Sequence, residues 1–263
     1  MSRTKFYIKL KEVKIFNEEL SIESKNEITN SIHNFDAIEG SSGKRNIIKK
    51  ITVDGIELNI KSFKIPNLVN KIAYKFLRKS KARRSFEYGN KLLKLGINTP
   101  KPIAFIEYSS LFFFQNSFYV SEQFPYDLTY RELINNHDYP DFELILRAFT
   151  RFTFKLHENG INFLDHSPGN TLIKKNKEGY EFYLVDLNRM KFQNMSFEER
   201  MKNFAKLSPK DVMLAIMSDE YSKLYPSKTK EEITKTMYFY SHKFSTYYVR
   251  QEAFKKKYYF WRK

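Results

Sequence analysis

Three oxygen-bearing side chains in the middle of the chain have types and a spacing suited to phosphoryl transfer. Asp165 and Asn170 are separated by four residues, and Asp186 follows after a short predicted hairpin. One carboxylate can accept or orient the proton of an attacking hydroxyl. A second carboxylate and an amide oxygen are hard ligands that can hold Mg²⁺ against phosphates. The spacing therefore predicts a magnesium-assisted phosphotransfer site.

A hairpin is predicted to bring two of these side chains together. Two short apolar strands, 170–174 and 180–186, flank a turn at 176–179. Turn residues between two such runs are typical of paired strands. The hairpin would return Asp186 to the side of Asn170.

Helices are predicted around this hairpin. Asp141 is expected to cap a long helix that ends at Gly160, because apolar residues recur there at helical spacing. Two further helix starts pair a capping serine with a later carboxylate: Ser196 with Glu199, and Ser208-Pro209 with Asp211.

The first third of the chain is predicted to be mainly strands. The runs 46–53 and 56–63 flank Asp54-Gly55, a strong hairpin signal. A helix is predicted from about 68 to 95, ended by Gly96, and strands at 102–107 and 117–124. Strands followed by helices favour an α+β fold of two lobes with a cleft between them. We place the β-rich N-lobe at 1–124 and the helical C-lobe at 125–263.

The Asp165-x₄-Asn170 pattern with Asp186 after a hairpin resembles the catalytic and metal-binding loops of protein kinases. It resembles more closely the lipopolysaccharide kinase (Kdo/WaaP) family, whose members phosphorylate Kdo or heptose sugars of the lipopolysaccharide inner core. The resemblance covers roughly residues 38–189. It implies a two-lobed protein-kinase-like fold forming one domain, with ATP and Mg²⁺ as cofactors. It also implies that Asp165 is the catalytic base, Asn170 a magnesium ligand and Asp186 the principal magnesium ligand.

Upstream residues extend the resemblance. The strand that contains Lys61 resembles the one whose lysine holds the α and β phosphates, and Lys64 is the competing candidate. The partner acid should lie on the following helix, and Glu87 is the only carboxylate between Lys61 and Gly96. The resemblance therefore implies a Lys61–Glu87 pair.

Two further segments are assigned to nucleotide binding. The segment 40–46 supplies Gly40 and Gly43 with basic residues, and it precedes the hairpin that carries Lys61. It is therefore interpreted as a degenerate phosphate-covering loop. Backbone groups near Glu122 to Phe124, at the lobe boundary, are expected to hold the adenine.

Departures from the protein-kinase pattern argue against a protein kinase regulated by its activation loop. Phe163 and Leu164 replace the usual His and Arg, Asp186-Leu-Asn replaces Asp-Phe-Gly, and no Ala-Pro-Glu follows. The leading hypothesis is an ATP-dependent kinase of a sugar hydroxyl in the lipopolysaccharide inner core or a related glycolipid. Two alternatives stay open: an inactive kinase-like scaffold that binds a partner or membrane, and a protein or small-metabolite kinase.

Composition indicates the surroundings of the chain. It has 263 residues, 41% of them hydrophobic, with no cysteine, no apolar run long enough for a membrane span and no signal-like start. We therefore expect a cytoplasmic protein, with possible peripheral contact at the cytoplasmic face of the inner membrane.

The charge of the chain indicates an anionic partner. The formal net charge is +16, and residues 61–84 contain nine Lys or Arg and no acid. Such a surface attracts anionic glycolipids, lipid surfaces or nucleic acid; compositional drift is the other explanation. No nucleic-acid motif is present, so we favour an anionic glycolipid or sugar acceptor.

The C-terminal tail is rich in aromatic residues. Eleven aromatic residues lie between Tyr238 and Trp261, beside several Lys and Arg. Three interpretations are open: helical-lobe core, a membrane interface, or stacking on single-stranded nucleic acid. Outside the tail, His157 is interpreted as a packing or capping residue at the helix end. His166 is equally consistent with a substrate contact or a solvated loop position. Arg189 is interpreted either as a residue that braces the metal loop or meets a substrate phosphate, or as an ordinary surface arginine.

Overall fold

A computed structural model describes residues 11–42, 46–63, 74, 78–207 and 210–258. The chain divides into two compact units, Met1–Phe124 and Pro125–Lys263, which we call the first and second units. The first is built on a β-sheet and the second is mainly helical. This confirms the predicted α+β fold with a β-rich N-terminal part and a helical C-terminal part.

The first unit is built on an antiparallel sheet. Its strands are β1 (Lys11–Phe16), β2 (Gly40–Ser42), β3 (Asn46–Val53), β4 (Ile56–Phe63), β5 (Pro102–Ser109) and β6 (Phe114–Glu122). They lie in the order β1-β5-β6-β4-β3-β2. The predicted hairpin between β3 and β4 is confirmed: Asp54 and Gly55 have φ values of 49° and 75°, as a tight two-residue turn requires.

Within the described residues, this sheet is accompanied by α1 (Ile22–His33) and α2 (Lys81–Lys94). The prediction missed α1, although Ser21 caps it and buried Ile28 and Ile32 are four residues apart. The predicted single helix from 68 to 95 is also wrong, because residues 78–80 are not helical; residues 68–73 and 75–77 lie outside the described residues. Ser80 is extended and caps α2, so the helix starts at Lys81.

The second unit contains five helices in its described residues. They are α3 (Tyr130–Asn135), α4 (Phe142–Glu158), α5 (Phe197–Ala205), α6 (Asp211–Leu224) and α7 (Lys230–Tyr258). Their buried faces share one apolar core with residues of the short strands. None of the helices in the described ranges is both long enough and apolar enough to span a bilayer.

Short strands carry the loops of the second unit. They are β7 (Leu128–Thr129), β8 (Ile161–Phe163), β9 (Thr171–Asn176), β10 (Gly179–Leu184) and β11 (Met190–Phe192). The strands β10, β9 and β7 form one antiparallel sheet, and β11 pairs with β8. The predicted hairpin of β9 and β10 is therefore confirmed.

One predicted helix start in the second unit is confirmed and one is corrected. Ser196 and Glu199 form a reciprocal capping box at the start of α5. Asp141 precedes α4 as predicted, but its side chain does not cap the helix. Its carboxylate instead accepts hydrogen bonds from Lys175 at 3.0 Å and Tyr180 at 2.8 Å, on the β9–β10 hairpin. Ser208 and Pro209 lie outside the described residues.

Candidate active site

The loop between β8 and β9 carries Asp165 and Asn170. The Asp165 carbonyl accepts the Ser167 N–H at 2.7 Å and the Asn170 side-chain amide at 2.8 Å. The Asn170 N–H in turn donates to the Ser167 carbonyl at 2.9 Å. The Asn170 side chain therefore holds the backbone of the residue assigned as the base.

The hairpin brings Asp186 back to the same loop. Thr171 pairs with Leu184, and the Val185 N–H donates to the Asn170 carbonyl at 3.0 Å. Asp186 is the next residue, with φ of 58° in the left-handed region that non-glycine residues seldom adopt. Its Oδ1 accepts the Asn188 side-chain amide at 2.6 Å. Asp165, Asn170 and Asp186 are thus brought together by backbone hydrogen bonds of one loop and one hairpin.

The donor set of this loop fits Mg²⁺. The Asn170 amide nitrogen is directed to the Asp165 carbonyl, so the amide oxygen is the atom suited to a cation. An amide oxygen and a carboxylate are hard ligands, and Mg²⁺ commonly takes one or two protein ligands and fills its shell with water and phosphate oxygens. Among the described residues, no group of three or more His, Asp or Glu could bind a metal by itself.

Arg189 lies beside Asp165. Its guanidinium is 3.8 Å from the Asp165 carboxylate, and its side chain is 58% exposed. The Arg189 carbonyl accepts the Leu164 N–H at 2.9 Å, next to the pairing of β11 with β8. This places an exposed cation next to the assigned base, where an anionic acceptor could meet it.

Lys206, at the end of α5, is a second cation at this loop that the sequence analysis missed. Its ammonium donates a hydrogen bond to the Leu164 carbonyl. Partial burial lowers the pKa of Lys206, and the Arg189 charge lowers it further, while the Asp165 charge opposes both. Lys206 therefore adds positive charge at the Asp165 end of the loop and anchors its backbone.

A buried polar cluster lies beneath the loop. The Asn203 oxygen is 2.8 Å from His166 Nδ1 and 3.4 Å from His157 Nε2, and its amide nitrogen donates to the Phe163 carbonyl at 2.9 Å. His157 Nδ1 is also 3.0 Å from the Tyr221 hydroxyl. One carboxamide thus connects two histidines to the strand that leads to Asp165.

Both histidines are fully buried. Burial lowers the pKa of His157 to about 3 and that of His166 to about 4. The interpretation of His166 as a substrate contact or solvated residue is therefore wrong, because its ring lies between Phe149 and Phe163. His157 is a packing residue, as predicted. Both rings are neutral at physiological pH and act as parts of the scaffold.

Gly169 allows a close approach on the other side of the loop. A Cβ atom at this position would lie 2.8 Å from a guanidinium nitrogen of Arg131, on α3. Such contacts are too short for real Cβ atoms, so glycine lets the arginine lie against the loop backbone.

The predicted phosphate-binding residues lie in the first unit. Lys61 is on β4, between Tyr119 of β6 and Ile48 of β3, and its ammonium is 5.4 Å from the centre of the Phe63 ring. Glu87 is on α2, which packs against the sheet. The pair of Lys61 with Glu87 stays a prediction, and Lys64 lies outside the described residues.

Glu87 has two cationic neighbours from its own segment. It accepts Lys79 at 2.7 Å and Arg83 at 2.9 Å. Burial alone would raise the pKa of Glu87, but these two bonds outweigh it and hold the pKa below its ordinary value. Two of the nine cations in the basic segment 61–84 therefore already share a counterion.

The remaining predicted nucleotide contacts also lie in this unit. Gly40 is the first residue of β2, opposite Lys49 of β3, while Gly43 lies outside the described residues. The Glu122 N–H donates to the Lys101 carbonyl at 3.0 Å, and the Phe124 carbonyl accepts the Gln123 side chain at 3.4 Å. Their roles in nucleotide binding stay predictions.

Comparisons with known proteins identify a matching family and a structural neighbour. The model of the "Lipopolysaccharide kinase (Kdo/WaaP) family" matches residues 65–240. The match starts after Lys61 and extends beyond the residues 38–189 on which the resemblance was based. A solved structure, "WaaP in complex with acyl carrier protein", is similar with a TM-score of 0.61 and 16% identity. The alignment covers 89% of this chain and 98% of that one. A search of curated proteins found no match.

Proposed function

The chain belongs to the lipopolysaccharide kinase (Kdo/WaaP) family, and on that premise we propose that it transfers the γ-phosphoryl group of ATP to a Kdo or heptose hydroxyl. The acceptor would be the lipopolysaccharide inner core or a related glycolipid. Family membership makes the chain a kinase, that is, a phosphotransferase. The observation that carries the transfer step is the loop in which Asn170 binds the Asp165 carbonyl and pairs with the residue before Asp186. The Kdo or heptose acceptor rests on the family.

The second unit supplies the residues of the chemical step. Asp165 orients the acceptor hydroxyl and accepts its proton. Asn170 and Asp186 hold Mg²⁺ through the amide oxygen and a carboxylate oxygen. When bound, Mg²⁺ supplies positive charge that offsets the negative charge of the phosphates. Lys206 and Arg189 both hold the backbone of Leu164, the residue before Asp165: Lys206 donates to the Leu164 carbonyl, and the Leu164 N–H donates to the Arg189 carbonyl.

The first unit supplies the proposed nucleotide contacts. Lys61, held by Glu87, binds the α and β phosphates. The segment containing Gly40 and Gly43 covers the phosphates, and the backbone near Glu122 to Phe124 binds the adenine. These roles rest on the family resemblance and on the position of Lys61 within the sheet.

The net charge supports an anionic acceptor. The chain carries a formal charge of +16, and Arg189 is exposed beside Asp165. Charge of this sign raises the encounter rate with anionic sugars and glycolipids. We place the reaction in the cytoplasm, with peripheral contact at the cytoplasmic face of the inner membrane.

Nucleotide binding and transfer should both depend on the assigned site. A thermal-shift titration with ATP and Mg²⁺ should raise the melting temperature of the wild type only when both are present. Asp186→Ala should remove this shift because a metal ligand is lost. Asp165→Asn should keep the shift but lower kcat for labelled phosphate transfer to Kdo- or heptose-bearing glycolipids by about 10³-fold.

Asp138→Ala serves as the control, because Asp138 is an exposed aspartate of the same unit. It should behave like the wild type in both assays. A magnesium-dependent shift that survives in Asp186→Ala would place the nucleotide elsewhere. If the magnesium-dependent thermal shift is intact but no phosphate is transferred to Kdo or to heptose, the kinase assignment would stand and the proposed acceptor would be wrong.

A further inference from the structure

Helix α7 is packed against other helices in its first half and exposed in its second half. Ile233, Met237 and Ser241 are buried at four-residue spacing where the helix packs against α5 and α6. From residue 242 to 258 none of the described side chains is buried. At 1.5 Å per residue this exposed half is ~25 Å long.

Aromatic and basic residues alternate on one face of α7, from Phe239 through this exposed half. Residues three or four positions apart lie on the same side of a helix. The Tyr247 side chain is 60% exposed and Phe254 53% exposed. We call this face the aromatic–basic stripe; its members in order are Phe239, Lys243, Tyr247, Arg250, Phe254, Lys257 and Tyr258.

Contacts within the stripe join rings to their neighbours. Lys243 lies 5.5 Å from the centre of the Phe239 ring, and Lys257 lies 5.4 Å from that of Tyr258. The Phe254 and Tyr258 rings are 4.5 Å apart. Aromatic rings and cations thus share one continuous surface.

The exposed half continues a helix that is packed at its start. The helix runs without a break from Lys230 to Tyr258, so the half that packs against α5 and α6 nucleates the exposed half. Arg, Gln, Glu, Ala and four Lys favour the helix in residues 242–258, while Ser, Thr, Tyr and Val favour it less. Since none of the described side chains in this half is buried, they are accessible to an external surface.

We propose that the aromatic–basic stripe binds an anionic membrane surface and lies in the interface. Rings at such an interface sit at headgroup level, and Lys and Arg meet lipid phosphates. The inference assigns a surface to the membrane contact in the proposed function. It does not depend on the phosphotransfer assignment, because none of its residues belongs to the candidate active site.

The positive charge of the exposed half of α7 favours an anionic lipid surface as its partner. Residues 243–258 contain five cations and a single acid, Glu252. Glu252 is two residues from both Arg250 and Phe254, so it points away from the stripe. The next five residues, 259–263, lie outside the described residues and repeat the composition with three aromatic residues and two cations.

Vesicle binding by the full chain tests the proposal. The wild type should co-sediment with vesicles of phosphatidylcholine and phosphatidylglycerol, more weakly at high salt, and hardly with phosphatidylcholine alone. Lys243→Gln/Arg250→Gln should lower the affinity by about 30-fold, because each cation near such a surface contributes about a factor of five. The matched pair Lys255→Gln/Lys256→Gln, on other faces of the same helix, should lower it by about threefold at most.

A second pair of variants tests the rings. Tyr247→Ser/Phe254→Ser should weaken vesicle binding by about tenfold, whereas Tyr248→Ser/Val249→Ser, off the stripe, should not. The proposal would be overturned if Lys243→Gln/Arg250→Gln and Lys255→Gln/Lys256→Gln lowered the vesicle affinity equally, or if the wild type did not bind vesicles. A dimer in analytical ultracentrifugation that the stripe variants abolish, without vesicle binding, would assign the stripe to a second copy of the chain. Loss of kinase activity with intact vesicle binding would bear on the proposed reaction alone.

Discussion

The loop of Asp165 in the second unit and Glu87 in the first unit are held in place by different kinds of polar contact. In the second unit, the loop of Asp165 rests on Asn203 and two fully buried histidines. In the first unit, Glu87 is bound by Lys79 and Arg83, whose side chains are 54% and 43% exposed. One region is anchored from the core and the other by ion pairs at the surface.

The energetic consequences of the two arrangements differ. A buried polar group that loses its partner costs the full desolvation penalty of that group. An exposed ion pair contributes little, because solvent already screens it and two long side chains must be ordered. We therefore expect the second unit's loop to be sensitive to single changes beneath it and the Glu87 cluster to tolerate them structurally.

The largest expected effect is the response of the second unit to pH. The folded pKa values of His157 and His166, about 3 and about 4, lie below the unfolded value of about 6.5. The unfolded chain therefore binds more protons as the pH falls, so stability is complete above pH ~6.5 and is lost towards pH ~3. Between pH 7 and pH 5 the free energy of unfolding should fall by about 4 kcal/mol for the two histidines together. Urea unfolding followed by circular dichroism measures this change.

The chosen pH window separates histidines from carboxylates. Carboxylates with lowered pKa values, such as Glu87, lose their contribution only below their ordinary range near 4.5. The control His137→Gln changes an exposed histidine and should leave the slope unaltered. A free energy of unfolding that stays constant from pH 7 to pH 5 would contradict the burial of both rings.

A smaller effect is expected from the residue that connects the histidines. Asn203→Leu removes the partner of His166, His157 and the Phe163 carbonyl, so the free energy of unfolding should fall by about 3 kcal/mol. Because the loop of Asp165 loses its support, kcat should fall about tenfold or more while the KM for ATP stays within about twofold. Denaturant unfolding and steady-state kinetics check the two parts.

Asn194→Leu makes the same chemical change at an exposed position of the same unit. It should alter stability by less than about 0.5 kcal/mol and leave kcat unchanged. Similar losses for both asparagine variants would remove the distinction between core-anchored and surface residues.

The smallest effect on stability is expected in the first unit. Glu87→Gln removes two partly exposed ion pairs and should cost less than about 1 kcal/mol. If Glu87 also holds Lys61, the KM for ATP should rise about tenfold, in contrast to the Asn203 variant. A destabilisation as large as that of Asn203→Leu would show that the polar groups of the two units contribute equally to stability. An unchanged KM would reject the Lys61–Glu87 pair.

Local sequence signals predicted much of this structure. The Asp54-Gly55 turn, the β9–β10 hairpin and the Ser196–Glu199 capping box each depend on residues within a few positions of one another. The resemblance to the kinase family also rested on a local motif, Asp165-x₄-Asn170. The comparison confirmed the family, and the roles of the motif's residues stay predictions. Helix α1 was missed because its short apolar pattern was interpreted as part of a strand-rich region.

The sequence by itself determined the chemistry of the proposed site, the kinase family and the excess of positive charge. The tertiary structure decided which groups support that site, because their partners are distant along the chain: Asn203 is 37 residues from His166, and Lys206 is 42 residues from Leu164. It also decided that Tyr247, Tyr248, Phe254 and Tyr258 are exposed, which composition could not distinguish from a helical core. Burial and desolvation depend on which surfaces meet when the helices pack, and no local pattern specifies that.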